Sequence, residues 1–286
     1  MARVAYVNGR FVDHSAAQVH IEDRGYQFAD GVYEVIPVHD GCLIDEMPHF
    51  DRLDYSLREL KIGWPMARQA LKLVARELIR RNGVSTGIIY LQVTRGVAPR
   101  DHRFPIHCKP ALVMTTRRAR PLPAAALTGG VAVVTVPDIR WGRCDIKSLA
   151  LLPNVLGKQR AVEAGAYEAW QLDRDGYVTE GTSTNAWIVT RDGKLMTRAR
   201  GPDILSGVTR GAILALVREQ GLAFEERRYS VEEAMNATEA FLTSSASFVL
   251  PVTRIDGAPI GSGRPGVVTL RLRDLLLRHV HTQCKS

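Results

Sequence analysis

The sequence predicts a mixed α/β (α+β) protein of two domains. Short runs rich in valine and isoleucine alternate with stretches of three-four apolar spacing, yet without the regular beat of a parallel strand–helix sheet. A proline-bearing stretch, residues 120–126, interrupts that pattern. The 286 residues suffice for two modest cores. The expected division is 1–119 for a smaller N-terminal α/β domain and 127–286 for a larger C-terminal domain, with 120–126 as the linker.

The elements follow in order. Residues 4–7 and 10–12 read as a hairpin about Asn8-Gly9, a strong turn pair. Residues 31–39 are β-rich and stop at Asp40-Gly41. Phe50, Leu53, Leu57 and Leu60 predict a helix over 47–60. Leu71, Val74, Ala75, Leu78 and Ile79 share one face of a helix over 67–82, which ends at Asn82-Gly83. Residues 87–95 and 111–117 read as strands. Pro121 and Pro123 stiffen a segment with little to bury, hence the linker. Beyond it, 130–136, 166–172, 177–179, 186–190 and 240–243 are strand-like. Helices are expected at 153–164, 207–220 and 266–281, with a helical turn at 232–235. There is no internal repeat.

Composition narrows the function. Hydrophobic residues at 45% and charged residues at 24% describe an ordinary globular chain rather than a disordered one. The formal charge of +8 invites a nucleic-acid reading. However, the basic residues are scattered, the longest runs being pairs such as Arg80-Arg81 and Arg117-Arg118, and no aromatic-interleaved stripe exists. Attraction of small anionic substrates accounts for the charge equally well. Cys42, Cys108, Cys144 and Cys284 are far apart and lack histidines at ligand spacing, which argues against a metal site or a disulfide framework. With no signal-peptide core at the N-terminus and no long uncharged apolar run, a reduced, cytoplasmic protein is expected, with neither membrane nor nucleic acid as partner.

Two segments carry chemistry. Lys147, in Asp145-Ile146-Lys147-Ser148-Leu149, follows the apolar strand 131–136 and has apolar neighbours. A partly desolvated lysine can attack an aldehyde to form a Schiff base. Glu180 opens Glu180-Gly181-Thr182-Ser183-Thr184-Asn185 between strand-like runs, so it lies at strand ends. A carboxylate there can keep a pyridine nitrogen protonated. Together these two jobs specify a pyridoxal phosphate site. Leu205-Ser206-Gly207-Val208-Thr209 opens a helix, with Ser206 as the expected N-cap, and a helix N-terminus suits a phosphate. Thr243-Ser244-Ser245 offers further hydroxyls after a strand. Neither segment matches a nucleotide P-loop.

Further motifs give a family resemblance over nearly the whole chain: Glu22-Asp23-Arg24-Gly25, Asp30-Gly31-Val32-Tyr33-Glu34, His49-Phe50-Asp51-Arg52-Leu53, Tyr90 to Gly96 and Pro99-Arg100-Asp101-His102-Arg103-Phe104-Pro105. With the lysine and glutamate segments, they resemble the class IV aminotransferases, pyridoxal phosphate enzymes of fold type IV, and among them most of all the D-amino-acid transaminases. The resemblance implies a C-terminal domain with a barrel-like sheet, the cofactor between the domains, and a homodimer with the active site at its interface. It makes Lys147 the Schiff-base lysine and Glu180 the partner of the ring nitrogen. Arg52 would hold the phosphate with Val208, Thr209, Ser244 and Ser245. Leu205 would pack on the ring, with Ser183 and Thr184 beside it. Tyr33, Arg100 and His102 would bind the substrate carboxylate, the last two from the neighbouring subunit. Ala246 departs from the hydroxyl residue usual nearby. The implied reaction is ping-pong transfer of an amino group between a D-amino acid and a 2-oxo acid. Branched-chain L-amino-acid transaminases, (R)-amine transaminases and aminodeoxychorismate lyases share the fold and stand as alternatives.

Overall fold

The computed structural model describes residues 3–120 and 122–284. It separates into two compact units, one of Met1–Arg120, Ile146–Ala150 and Val280–Ser286, the other of Pro121–Asp145 and Leu151–His279.

In the first unit, β1 (Val4–Val7) and β2 (Arg10–Asp13) turn at Asn8 and Gly9, both with positive φ as a two-residue hairpin turn requires. Then come α1 (Arg24–Phe28), β3 (Gly31–His39), β4 (Cys42–Leu43), α2 (Glu46–Glu59), α3 (Arg68–Asn82), β5 (Gly87–Thr94) and β6 (Ala111–Arg118). The antiparallel sheet runs β2-β1-β6-β5-β3-β4. Alternation along its strands turns Val32, Ile36, Ile89, Leu91, Val93 and Met114 inward. They pack with Phe50, Leu53 and Leu57 of α2 and Leu71, Ala75 and Leu78 of α3.

The second unit begins with α4 (Ala124–Thr128), β7 (Val131–Pro137), α5 (Leu152–Glu163), β8 (Glu168–Leu172), β9 (Val178–Gly181) and β10 (Asn185–Val189). It continues through β11 (Leu195–Thr197), α6 (Val208–Glu219), β12 (Phe224–Glu226), α7 (Val231–Met235), β13 (Glu239–Ser244), β14 (Phe248–Ile255), β15 (Ala258–Pro259) and α8 (Val267–Gln283). The sheet order is β12-β11-β10-β13-β14-β7-β8-β9, with β15 on β14. Only residues 182–184 join β9 to β10, although the two strands stand five places apart in that order. In a flat sheet the gap is about 24 Å, at roughly 4.8 Å per strand. Four extended residues reach only about 14 Å. The sheet must therefore curl back on itself, which makes it the barrel-like sheet expected. Gly181 permits the tight corner, because a Cβ there would lie 2.2 Å from Thr184 Oγ1.

The mixed α/β class and the long elements stand as expected, and the differences have local causes. Residues 124–128, partly within the expected linker, form α4, because Leu122, Ala126 and Leu127 find apolar partners in the second unit's core. Pro121 lies outside the described residues. Strand β14 escaped the sequence reading because Pro251 interrupts it. That proline sits just before pairing with β7 begins at Val252, so its missing N–H is not needed on that side. The short α1, β4, β11, β12 and β15 lack a full period of any pattern. Among the described residues, no helix is long and apolar enough to cross a membrane.

Leu78 and Leu73 test the first unit's core. Leu78 is fully buried, whereas Leu73, on the same helix, is 67% exposed. Leu78→Ala should cost about 2–5 kcal/mol in urea unfolding. Leu73→Ala should stay within about 0.5 kcal/mol. Equal costs would overturn this assignment of the helix faces.

Candidate active site

The candidate residues fall into two groups, one in each unit. In the first is Lys147. It lies well past β7, in the segment Ile146–Ala150 that joins the first unit. That segment lies against β3. Tyr33 N–H donates to Lys147 O (3.0 Å), Leu149 N–H to Gly31 O (3.0 Å), and Lys147 N–H to Ser56 Oγ (3.2 Å). Ile146 anchors it in the core. Gly31 makes the approach possible, since a Cβ there would stand 2.8 Å from Leu149 Cδ1 and 2.6 Å from Val93 O. The Lys147 ammonium then lies 4.2 Å from the Tyr33 ring centre. Tyr33 in turn neighbours Tyr90 (5.8 Å), whose hydroxyl donates to Gln92 Oε1 (2.7 Å). Burial, then the neighbouring Tyr33, push the Tyr90 hydroxyl up to about 12.

Glu34 follows Tyr33, so alternation sends it to the opposite, buried face. A buried carboxylate needs donors, and α2 supplies two at i, i+3 spacing. Arg52 donates from Nε (2.7 Å) and Nη2 (2.8 Å), and His49 Nδ1 lies 2.8 Å from Oε2. Arg52 is thus buried and aimed by a carboxylate, which the pattern Phe-Asp-Arg on a helix did not foretell. Burial raises the Glu34 carboxyl, but the charge and hydrogen bonds of Arg52 and the hydrogen bond of His49 outweigh it and leave it at about 2. Arg100 and His102 lie on the exposed segment after β5. They flank the Phe28 ring, with the Arg100 guanidinium at 5.2 Å and the His102 ring at 5.4 Å.

In the second unit, Glu180 belongs to β9 itself and is buried. Oε1 accepts from Leu205 N–H (3.0 Å) and from Arg140 Nη1, and Oε2 accepts from Asn185 Nδ2 (2.8 Å). Arg140 is shared with Asp138, through Nε (2.9 Å) and Nη2 (2.6 Å). Burial weakens its charge, but the Asp138 bond and the Glu180 charge more than restore it, so Arg140 stays protonated. No sequence signal marked Arg140, because the strands that bring it to Glu180 are far apart in the chain.

The loop 182–184 is organised by Glu168 of β8, also missed, whose side chain is fully buried. Ser183 donates to it from Oγ (2.9 Å) and N–H (3.3 Å), Thr184 from Oγ1 (3.4 Å), and Thr182 from Oγ1. The N-cap of α6 is Gly207 rather than Ser206, and it makes no side-chain capping bond. A Cβ at Gly207 would strike Asn185 Oδ1 at 2.0 Å, so a capping side chain has no room. The first-turn N–H groups at Val208 and Thr209 therefore keep their capacity for an anion. Ser244 Oγ accepts from Ala246 N–H (3.3 Å) and Ser247 N–H (3.1 Å) and contacts Ser247 Oγ (2.8 Å), closing the β13–β14 turn. Ser245 takes no part in these bonds.

This donor set fits pyridoxal phosphate. A primary amine without an ion pair among the described residues suits an aldehyde. A buried carboxylate held by an arginine and an amide suits a protonated pyridine nitrogen. Taken separately, the uncapped helix start in the second unit and the oriented arginine in the first are each of a kind that suits a phosphate.

The family model for class IV amino-transferases matches residues 31–255. The D-alanine aminotransferase of Bacillus licheniformis is 45% identical over 269 residues, 94% of each chain. Among solved structures, the Escherichia coli branched-chain amino acid aminotransferase superposes with a TM-score of 0.90 at 25% identity, over 98% of this chain and 95% of that one. A T.th. branched-chain amino acid aminotransferase with pyridoxamine 5'-phosphate gives 0.89 at 26%, with the same coverage.

Acid should expose the Glu34 pairing. Its folded value of about 2 lies below the ordinary 4.5, so its ionised form contributes stability above 4.5 that is lost as the pH falls to about 2. The contribution is on the order of 3 kcal/mol. Urea midpoints measured across that window should fall steeply for the native chain and less steeply for Glu34→Gln. Parallel slopes would remove Glu34 from the account.

Proposed function

Because the chain belongs to the class IV amino-transferases, an enzyme family that works with pyridoxal phosphate, we propose that it moves an amino group between a D-amino acid and a 2-oxo acid. The observation that carries the substrate class is the trio Tyr33, Arg100 and His102, all borne by the first unit. A guanidinium offers a planar fork to a carboxylate, and tyrosine and histidine add donors. Identity points the same way, at 45% to a D-alanine aminotransferase against 25–26% to branched-chain enzymes. The high TM-scores with the latter support the branched-chain L-amino-acid reading as the second choice.

Lys147 and Glu180 define the reaction. Arg52, and the α6 N–H groups at Val208 and Thr209 with Ser244 and Ser245, would be the residues for the phosphate. Leu205 would pack on the ring, with Ser183 and Thr184 beside it. When bound, pyridoxal phosphate supplies an aldehyde for the amine and a ring that withdraws electrons from the bonds at Cα. Lys147 Nζ would be the amine that meets that aldehyde, and the group that takes up the Cα proton and gives it back, as base and then acid. Beside the Tyr33 ring, that amine has no ion pair among the described residues. Glu180, paired with Arg140 and oriented by Asn185, would stabilise positive charge on the ring nitrogen. Glu34 fixes the fork of Arg52.

We also infer a homodimer in the cytoplasm. Around Arg100 and His102, Ile106 is 92% exposed, Phe104 56% and Val97 43%, an apolar surround that suits a second copy.

Lys147→Ala should abolish transamination and the visible absorbance of the holoenzyme, and full activity would sink the assignment. With 2-oxoglutarate as acceptor, D-alanine should be turned over well ahead of L-leucine and (R)-1-phenylethylamine. Turnover of L-leucine without D-alanine would select the branched-chain reading.

A further inference from the structure

The segment that carries Arg100 and His102 lacks regular structure and is largely exposed. Two buried arginines nevertheless grip it. Arg24 Nη1 donates to the carbonyl of Asp101, the residue between Arg100 and His102, at 2.6 Å. The Arg95 guanidinium lies 3.7 Å from the centre of the Phe104 ring, two residues past His102. Both arginines converge on one carboxylate. Arg24 Nε bonds Asp30 Oδ2 at 2.7 Å, and Arg95 bonds Oδ2 from Nε at 2.8 Å and Oδ1 from Nη2 at 2.9 Å. The side chains of Arg24, Arg95 and Asp30 are 4%, 8% and 11% exposed, so they are set in the protein rather than in solvent.

The remaining bonds stiffen the hub. Arg95 also donates to the carbonyls of Leu60 (2.8 Å) and Lys61 (3.1 Å), and its own N–H donates to Asp30 O (3.0 Å). Arg24 stacks on Phe28 at 4.8 Å, the ring that also neighbours Arg100 and His102. Asp30 immediately precedes Gly31, where the Lys147 segment is paired, and lies three residues before Tyr33. One carboxylate thus ties the Arg100–His102 segment to the strand that bears Tyr33.

We propose that Asp30 is a positioning residue for the substrate carboxylate, acting through Arg24 and Arg95 to hold Arg100 and His102 in register with each other. This rests on the assignment of Arg100 and His102 to that carboxylate. Asp30 does not touch the substrate. It acts by removing the freedom that two exposed side chains on an irregular segment would otherwise lose on binding.

The test is the half-reaction of the holoenzyme with D-alanine, followed through the visible band in single turnovers. Asp30→Asn should raise the D-alanine concentration for half-maximal rate by roughly ten- to a hundredfold. The rate at saturation and the band of the resting enzyme should change little. Asp30→Glu, which keeps the charge, should recover part of the affinity. Trypsin should also cut Asp30→Asn faster after Arg100 or Arg103. Unchanged half-saturation in a folded Asp30→Asn overturns the proposal, as does a fall confined to the saturating rate. If Asp30→Asn does not fold, Arg24→Lys, which keeps the charge but cannot fork between Asp30 and the Asp101 carbonyl, carries the same expectations and the same overturning results. Arg100→Ala separates the two levels. If it leaves half-saturation unchanged, the carboxylate assignment itself fails. If it raises half-saturation while the Asp30 and Arg24 variants do not, only the positioning role fails.

Discussion

A carboxylate withdrawn from water has to be met by donors, and this constraint places much of the candidate site. Glu34 brings Arg52 and His49 to one face of β3. Glu180 brings Arg140, Asn185 and the Leu205 N–H to the end of β9. Glu168 gathers the hydroxyls of Thr182, Ser183 and Thr184. Asp30 collects two arginines. In each case the acid fixes the direction of groups that would otherwise be free to rotate. Removing one partner of such a cluster leaves a buried charge, so these positions resist change even where they touch no ligand.

Backbone constraints add the rest. Gly31 admits the Lys147 segment alongside β3, and Gly181 admits the corner that curls the second sheet. Gly207 excludes a capping side chain and so leaves the start of α6 with its donors. Each of these three glycines sits where a Cβ would collide, and each collision is with a segment of the candidate site.

The sequence made the long elements legible because their patterns run for several periods, as in α3 and β3. It made Lys147 and Glu180 legible because few chemistries need that pair. It did not make their supports legible. Arg140 reaches Glu180 across forty residues of chain, and Glu168 reaches Ser183 across fifteen. Contacts of that range depend on sheet order, and no local period encodes sheet order. The same reason hid the surroundings of Lys147. It follows β7 in the chain, whereas its apolar neighbour Ile146 belongs to the first unit's core. Ser206 looked like a cap by composition, and only the Asn185 side chain beside Gly207 shows why the cap is one residue later.

The two levels of support also separate reaction from substrate. On the proposed reading, the groups around Glu180 and Arg52 would answer to a ring nitrogen and a phosphate. Glu180 and Arg52 themselves lie on regular elements, β9 and α2, and each is held by an ion pair. The groups around Arg100 and His102 stand on an irregular segment held from beneath by Asp30, Arg24 and Arg95. A segment of that kind can change its sequence without disturbing either sheet. A fold that keeps Glu180 and Arg52 on regular elements and Arg100 and His102 on a tethered loop can change the loop's contacts without disturbing those elements. High structural likeness to branched-chain enzymes is therefore compatible with a different amino donor, and specificity has to be argued from the loop and its tether rather than from the fold.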